Sequence, residues 1–142
     1  MSNTDDIQSI VDIVKSCENA VLATNRLDGY PDVRTIMNAL NADITDLHLH
    51  FITDADSPKF KQIAHNQKCC IYYFNPETRM AVRLFGEMQN VDDIDAKKRY
   101  WHDRYQQFGY TGPDDANLIL MEFMPKTYKF YDRNDELKTG LI

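Results

Sequence analysis

Hydrophobic residues near the beginning of the chain recur with the period of an α-helix. The positions that share one helix face, spaced i, i+3, i+4, i+7, are Ile7, Ile10, Val11, Val14 and Cys17. Acidic residues come first in this segment and Lys15 lies near its end, an arrangement that the helix dipole favours. The pattern predicts an amphipathic helix between Asp5 and Cys17.

The next segments are rich in residues that favour β-strands. The runs Asn19–Asn25 and Asp32–Ala39 are separated by the turn dipeptide Asp28-Gly29, which indicates a hairpin. A third run, Leu47–Thr53, alternates between apolar and polar positions and predicts a strand.

A short helix is predicted after these strands. Ser57 is a preferred N-cap residue and Pro58 suits the first helical position, so we predict a helix that continues to about His65. The residues expected to face the core are Phe60, Ile63 and Ala64.

The middle of the chain predicts a second hairpin and a longer helix. Aromatic and branched residues dominate Cys69–Asn75 and Met80–Gln89, and the segment from Asn75 to Thr78 forms a turn between them. From Asp92 to about Phe108 the pattern is helical. The apolar stripe of this helix is Ile94, Trp101, Tyr105 and Phe108.

The last long strand is predicted from Asn117 to Tyr131, where Pro125 indicates a bulge or a sheet edge. The polar tail Arg133–Ile142 is expected to be partly disordered. Antiparallel hairpins dominate and regular strand–helix–strand alternation is missing. We therefore predict one α+β domain over residues 1–142, built as a six-stranded antiparallel β-barrel with about three flanking helices.

Composition and charge exclude several kinds of partner. The five glycines form neither the G-x-G-x-x-G of dinucleotide folds nor the G-x-x-x-x-G-K of phosphate loops. With 16 basic and 22 acidic residues the net charge is −6, so no general basic field attracts nucleic acid or anionic lipid. The chain has no apolar run of a membrane helix, no signal peptide pattern and no C-x-x-C among its three cysteines. These features predict a cytoplasmic protein with reduced thiols.

Two basic residues are candidates for binding an anion. A helix N-terminus at Ser57 offers unpaired N–H groups and a partial positive charge, to which Lys59 adds a full charge. The alternative is that Ser57 only caps the helix and Lys59 is solvated. Arg34 shares a strand face with Ile36 and Asn38 in a run suited to burial. Its guanidinium needs a partner there, which is either an Asp or a ligand phosphate.

The order of these pieces resembles the pyridoxamine 5'-phosphate oxidase-like family of FMN-binding split barrels. The segments that carry the resemblance are Arg34-Thr35-Ile36-Met37, Phe51-Ile52-Thr53 and Asp54-Ala55-Asp56-Ser57-Pro58-Lys59. A later segment, Tyr110-Thr111-Gly112-Pro113-Asp114-Asp115, resembles the general stress protein branch of that family. The resemblance extends from about Val21 to Tyr131.

This resemblance implies a homodimer with two FMN sites at its interface. It further implies a flavin-dependent oxidoreductase that uses NAD(P)H and acts on a small-molecule substrate, with no catalytic side chain and no metal. The alternative is a flavin-binding stress protein without turnover, such as a carrier, buffer or sensor. The residues implied to bind FMN are Arg34, Ser57 and Lys59 at the phosphate, the backbone of Thr35, Ile36, Met37 and Asn38 along the flavin ring, Ile52 and Thr53 near the ribityl chain, and Tyr131 near the flavin of the other subunit.

Several positions depart from the true pyridoxamine phosphate oxidases. Those enzymes carry a Lys where this chain has Ala39, an Arg where it has Pro58 and a Gln near the position of Ala81. Their C-terminal Arg-x-His segment has no counterpart after Tyr131. We therefore do not expect pyridoxamine phosphate itself to be the substrate.

The remaining candidates each have a simpler interpretation. Tyr100 and Arg104 lie four positions apart on the predicted third helix, either near a substrate phosphate or as a packed Tyr and a surface Arg. His48 and His50 share one strand face but lack a third metal ligand at a recognisable spacing. Aromatic residues that either line a flavin pocket or pack in the core and interface are Tyr72, Tyr73, Phe74, Tyr100, Trp101, Tyr105 and Tyr110.

Overall fold

The computed structural model describes residues 3–132, 134 and 136–142. These described residues form three α-helices, one 3-10 helix and seven β-strands. In chain order the elements are α1 (Asn3–Ser16), β1 (Asn19–Asn25), β2 (Pro31–Met37), β3 (Leu49–Asp54), α2 (Pro58–His65), β4 (Lys68–Phe74), β5 (Ala81–Asn90), α3 (Ile94–Tyr100), the 3-10 helix (Asp103–Phe108), β6 (Leu118–Tyr131) and β7 (Leu137–Leu141).

The strands form one antiparallel sheet in the order β2-β1-β4-β5-β6-β3, with β7 added to β6. The two ends of this order meet, since Asn38 bridges Phe51 and the Ala39 N–H donates to the His50 carbonyl at 2.9 Å. The sheet therefore curls into a barrel whose β2–β3 seam is paired only briefly. This confirms the α+β class and the six predicted strands, to which β7 is added.

The barrel interior is filled by alternate side chains of the strands and by one face of α1. Ile10 and Val14 of α1 are fully buried, as the helical spacing predicts. Large side chains buried in this core include Tyr73, Tyr128, Phe123, Phe130, Met88, Leu84 and Ile71. A smaller cluster of Tyr105, Tyr110 and Leu118 lies outside it, packed against Met37 and Ile52 among others.

The predicted irregularity at Pro125 is confirmed. Gly86 pairs with Pro125 and Phe85 with Thr127, so β6 carries one extra residue at this point. A Cβ on Gly86 would lie 2.2 Å from the Met124 carbonyl oxygen, which explains why glycine occupies the position. The bulge bends both strands and helps to close the barrel.

Three predictions about the helices are wrong in part. The helix predicted from Asp92 to Phe108 is divided, because Trp101 and His102 are extended and the His102 ring accepts a hydrogen bond from the Arg104 N–H, which starts a new helical turn. Within the predicted stripe, Tyr105 is buried, whereas Ile94 and Phe108 are exposed. On α2 the side chain of Ala64 is exposed, and Gln62 is buried instead.

The tail is more ordered than predicted over most of its length. Residues 137–141 pair with β6, and the Lys138 ammonium lies 3.7 Å from Asp6 and 3.3 Å from Asp132. Gly140 packs directly on the Tyr128 ring. Arg133 and Asp135, within the predicted tail, lie outside the described residues.

Candidate functional site

An open cleft of about 290 Å³ lies where the end of β3, the start of α2 and the 3-10 segment meet. Its size is at the lower end of the roughly 300–1,000 Å³ that ligand pockets occupy. Four predicted FMN-binding residues line it: Met37, Ile52, Thr53 and Lys59. The other lining residues are Asp54, Tyr105, Phe108 and Tyr110.

The N-terminus of α2 presents a basic and polar group to this cleft. Ser57 occupies the N-cap position, but its hydroxyl makes no capping hydrogen bond and instead accepts one from the Lys59 ammonium at 3.0 Å. Ser57 is therefore the N-cap residue, as predicted, but its side chain does not make the capping bond. The first-turn N–H groups keep their partial positive charge without a side-chain acceptor, and Lys59 adds its own charge beside them.

Thr53 carries a polar atom without a protein partner. Its side chain is 4% exposed, and its hydroxyl has no hydrogen bond among the residues that the structure describes. Buried hydroxyls are normally paired, because leaving one unpaired costs about 1–3 kcal/mol. Thr53 is a lining residue of the cleft, so a ligand group that reaches this hydroxyl would satisfy it.

Lys59 is a partly buried cation in the neighbourhood of Asp54. Burial lowers the pKa of Lys59, the positive charge of Arg34 lowers it further, and Asp54 opposes both. Within the described part of the chain Lys59 forms no salt bridge. An anion entering the cleft would relieve this cost by supplying the missing negative charge.

Arg34 lies beside the cleft and is already held by protein atoms. Its guanidinium donates to the Leu22 carbonyl at 3.2 Å, to the Thr24 hydroxyl at 2.6 Å and to the Gln62 amide oxygen at 3.1 Å. Asp32 lies 3.4 Å from it, so the Asp alternative predicted for its partner is present. Its strand is only partly buried: Val33 and Thr35 face solvent, contrary to the expectation of a buried run.

The other predicted FMN residues fall into two groups. Ile36 packs in the barrel core, and the Asn38 amide oxygen accepts from the Tyr73 hydroxyl at 2.6 Å, so only the backbone of this segment is available beside Met37. Tyr131 lies on the outer face of the sheet, where it lines a different hollow with Tyr72. One protomer therefore does not bring Tyr131 to the cleft that contains Lys59.

The aromatic wall of the cleft comes from the segment after α3. Tyr105 accepts a hydrogen bond from the Leu40 N–H at 2.7 Å, and Tyr110 donates to the Asp54 carboxylate. Burial, followed by the bond to Asp54, raises the pKa of Tyr110, so its hydroxyl stays a neutral donor. Sequence reasoning considered Tyr105 and Tyr110 for a pocket but missed Phe108, which no local pattern connects to Lys59. It also missed Asp54, although Asp54 begins the segment that leads to Lys59.

The remaining candidates have structural partners. The His50 ring stacks on Tyr100 with centroids 4.2 Å apart, and Arg104 lies 3.6 Å from Glu18. His48 lies 3.8 Å from Asp46. Over the described residues no cluster of three or more His, Cys, Asp or Glu side chains is arranged to hold a metal ion. In the same part of the chain, no helix has the length and apolar character needed to cross a membrane.

An antiparallel sheet closed into a barrel, with a cleft between its rim and a helix start, defines a split-barrel protein. Residues 5–141 match the model of the pyridoxamine 5'-phosphate oxidase-like family. The chain belongs to this family, as its sequence resemblance predicts.

Solved structures of the same class are similar along the whole chain. A Clostridium acetobutylicum protein related to general stress protein 26 superposes with a TM-score of 0.85 at 19% identity, covering 99% of this chain and 97% of that one. A Nostoc punctiforme pyridoxamine 5'-phosphate oxidase-related, FMN-binding protein gives a TM-score of 0.71 at 20% identity, covering 100% and 99%. At these identities the superpositions show the fold.

A curated enzyme is similar over part of its length. The pyridoxine/pyridoxamine 5'-phosphate oxidase of Leptospira interrogans is 32% identical over 83 residues, which are 58% of this chain and 37% of that enzyme. The match thus spans little more than a third of the curated enzyme.

Proposed function

We propose that this protein binds FMN in the cleft beside α2 and acts as a flavin-dependent oxidoreductase on a small molecule. The observation that carries the proposal is the convergence of three unsatisfied groups on one cleft. Among the described residues, Lys59 forms no salt bridge, the α2 N-terminus has no side-chain cap and the buried Thr53 hydroxyl has no partner. A phosphorylated, hydroxyl-rich ligand would satisfy all three.

The residues of the cleft suit different parts of FMN. Lys59, Ser57 and the first turn of α2 would hold the phosphate, with Arg34 as a second cation nearby. Thr53 would hydrogen-bond the ribityl chain, and Met37 and Ile52 would contact the apolar ring. When bound, FMN would supply the redox chemistry, receiving two electrons from NAD(P)H and passing them to the substrate.

The protein's own part is to bind, orient and shield the cofactor. Tyr105 and Tyr110 are fixed by hydrogen bonds, so they form a rigid aromatic wall that packs against Met37. Asp54 keeps the Tyr110 hydroxyl engaged, which leaves the ring of Tyr110 as the surface beside the ligand.

A second copy of the chain would complete the site. We propose a homodimer, because the cleft of one protomer is open and small for FMN and the outer sheet face carries exposed apolar residues. Those with 38–42% exposure on this face are Val21, Tyr72, Phe74 and Tyr131. Covering such a face is favourable because it removes apolar surface from water. A dimer would also allow Tyr131 of one protomer to approach the flavin of the other.

The cofactor is tested by purifying the protein and titrating it with FMN. We expect an absorbance band near ~450 nm from bound flavin. A colourless protein that takes up no added FMN would contradict the proposal. Bleaching of the bound flavin by NADPH under argon, followed by reoxidation, would support an enzyme. Stable binding without reduction would favour the alternative, a flavin carrier or sensor.

The phosphate contact is tested with Lys59→Ala and Arg34→Ala. Together they should weaken FMN binding by at least ~3 kcal/mol, because hydrogen bonds between charged groups are removed. Lys59→Ala alone should cost more than Arg34→Ala alone, since Arg34 is already paired with Asp32. Fluorescence titration measures both. Unchanged affinity in the double variant would show that the phosphate lies elsewhere.

A further inference from the structure

Gln62 is a buried polar residue of α2 that does not line the cleft. It follows Lys59 by three positions and is 9% exposed. A buried amide is costly unless its oxygen and its NH₂ group both find partners. In Gln62 both do, and its partners all belong to the β1–β2 hairpin.

The amide of Gln62 has a defined orientation. Its oxygen accepts from the Arg34 guanidinium at 3.1 Å and from the Thr24 hydroxyl, while its NH₂ group donates to the Asp32 carboxylate at 3.2 Å. Reversing the amide would turn its NH₂ toward the guanidinium, where two donors face each other. The neighbours thus select one orientation, in which the acceptor faces Arg34.

Arg34 is consequently held from two sides. The Leu22 carbonyl and the Thr24 hydroxyl accept from one terminal nitrogen, and Gln62 accepts from the other. The Thr24 hydroxyl in turn donates a hydrogen bond to the Gln62 amide oxygen, so the three side chains form a closed network. A flexible Arg side chain loses much rotamer freedom on binding a ligand, and this network has already imposed that restriction.

We propose that Gln62 is a positioning residue that fixes Arg34 beside the start of α2, where its charge acts on the phosphate of bound FMN, an inference that rests on the proposed function. Gln62 stands on the same helix as Lys59, so it ties the Arg34 strand to the element that carries the other cation. The bond from Arg34 to Gln62 brings the guanidinium to α2, one turn after Lys59. Burial, and after it the positive charge of Arg34, lower the pKa of Lys59, which agrees with two neighbouring cations. The Gln62 amide also donates to the Asp32 carboxylate that pairs with Arg34, which weakens the ion pair between Asp32 and the guanidinium.

The test is a double-mutant cycle with two ligands, FMN and riboflavin, which lacks the phosphate. Gln62→Met should weaken FMN binding about tenfold, the loss of affinity expected when a hydrogen bond to a charged group is weakened. Riboflavin binding should weaken less than about twofold, because riboflavin has no phosphate. In the Arg34→Met background, Gln62→Met should cost less than about twofold further, because the residue through which it acts is gone. In the Lys59→Met background its effect should persist.

Each other outcome has a definite meaning. Equal losses for FMN and riboflavin, or losses that multiply fully in the Arg34→Met background, would show a merely structural role and overturn the inference while FMN binding stands. Wild-type protein that binds neither flavin overturns the proposed function and the inference with it. Gln67→Met serves as the matched control, since Gln67 is exposed in the loop after α2 and should leave both affinities unchanged.

A second variant covers the case in which Gln62→Met does not fold. Gln62→Asn keeps a polar amide at the buried position but withdraws it from Arg34 by one methylene. It should show the same selective loss of FMN over riboflavin and the same dependence on Arg34. Full FMN affinity in a folded Gln62→Asn protein would overturn the inference.

Discussion

The buried Thr53 hydroxyl illustrates how a single polar atom can reveal a site. Its β-branched side chain suits β3 and would be equally well served there by valine, which has the same shape. The hydroxyl lowers stability when it has no partner, and the proposed ligand would supply one. Removing the Thr53 hydroxyl should therefore change stability and ligand binding in opposite directions.

Thr53→Val separates these two effects. We expect the ligand-free variant to be as stable as the wild type or up to about 1 kcal/mol more stable, since an unpaired buried hydroxyl is removed. FMN binding should weaken about fivefold because one hydrogen bond is lost. Urea unfolding without ligand and FMN titration measure the two quantities. A variant that is clearly less stable and binds FMN normally would show that the hydroxyl has a structural partner.

His50 makes stability depend on pH. Burial lowers the pKa of His50, and the carboxylate of Glu122 opposes this effect while Arg99 and His48 add to it. The unfolded chain therefore binds the proton more readily, so stability should fall as pH drops through about 6.5, the ordinary pKa of His. Above that pH the group is neutral in both states and contributes no slope.

The comparison of wild type with His50→Gln checks this sign. Between pH 7.5 and pH 5 the wild type should lose more stability than the variant, and the two pH profiles should run parallel above pH 7.5. Urea midpoints at each pH provide the measurement. Parallel profiles over the whole range would exclude His50 as the source.

At the scale of elements, the β5–β6 pair carries the bend that closes the barrel. Gly86 lies opposite Pro125, and the space beside its Cα is filled by the Met124 carbonyl and the Phe123 ring. Proline removes a ladder hydrogen bond at this point, and the extra residue increases the local twist. The bulge therefore depends on the absence of a side chain on the facing strand.

Gly86→Ala should destabilise the protein by about 3 kcal/mol, since the added Cβ meets backbone that cannot move without disturbing two strands. Gly112→Ala is the matched control, because its Cβ would meet only the Asp114 carboxylate, at 3.2 Å, the end of a flexible side chain. That variant should stay within about 0.5 kcal/mol of wild type. Thermal or urea unfolding compares them. Equal stabilities for the two variants would contradict the role of the bulge.

At the scale of the whole molecule, the open cleft and the exposed sheet face point to assembly. Tyr72 pairs across strands with Val21 and Arg83, at the centre of the outer face formed by β1, β4 and β5. A charge placed there would be buried on association at a high cost. The free protomer should tolerate such a charge, because Tyr72 is 40% exposed.

Tyr72→Lys should therefore convert a wild-type dimer into a monomer and weaken FMN binding at the same time. Sedimentation velocity and FMN titration follow the two effects. Leu27→Lys is the control, since Leu27 is 72% exposed in the turn between β1 and β2 and should change neither. A wild-type monomer that binds FMN fully would contradict the proposed dimer.

Much of the fold follows from local rules that the sequence expresses directly. The helical period of α1, the alternation of β3, the turn after Phe74 and the irregularity at Pro125 are all visible in the residues, because steric preferences and side-chain period act over a few positions. The end of α3 before Trp101 is not visible in the local pattern. It depends on the hydrogen bond that the Arg104 N–H donates to the His102 ring, which starts the 3-10 helix instead of continuing α3.

Some features of the candidate site can likewise be predicted from local sequence, and others cannot. The residue types at the start of α2 can be read directly from the chain, and so can the family resemblance that connects them to FMN. Three further points depend on the folded protein: Gln62 rather than Ala64 is buried, Asp32 and Gln62 contact Arg34, and Phe108 joins the cleft. The physical reason is distance along the chain: these contacts form when the curled sheet brings α2, β2 and the 3-10 segment together, and no local pattern specifies that approach.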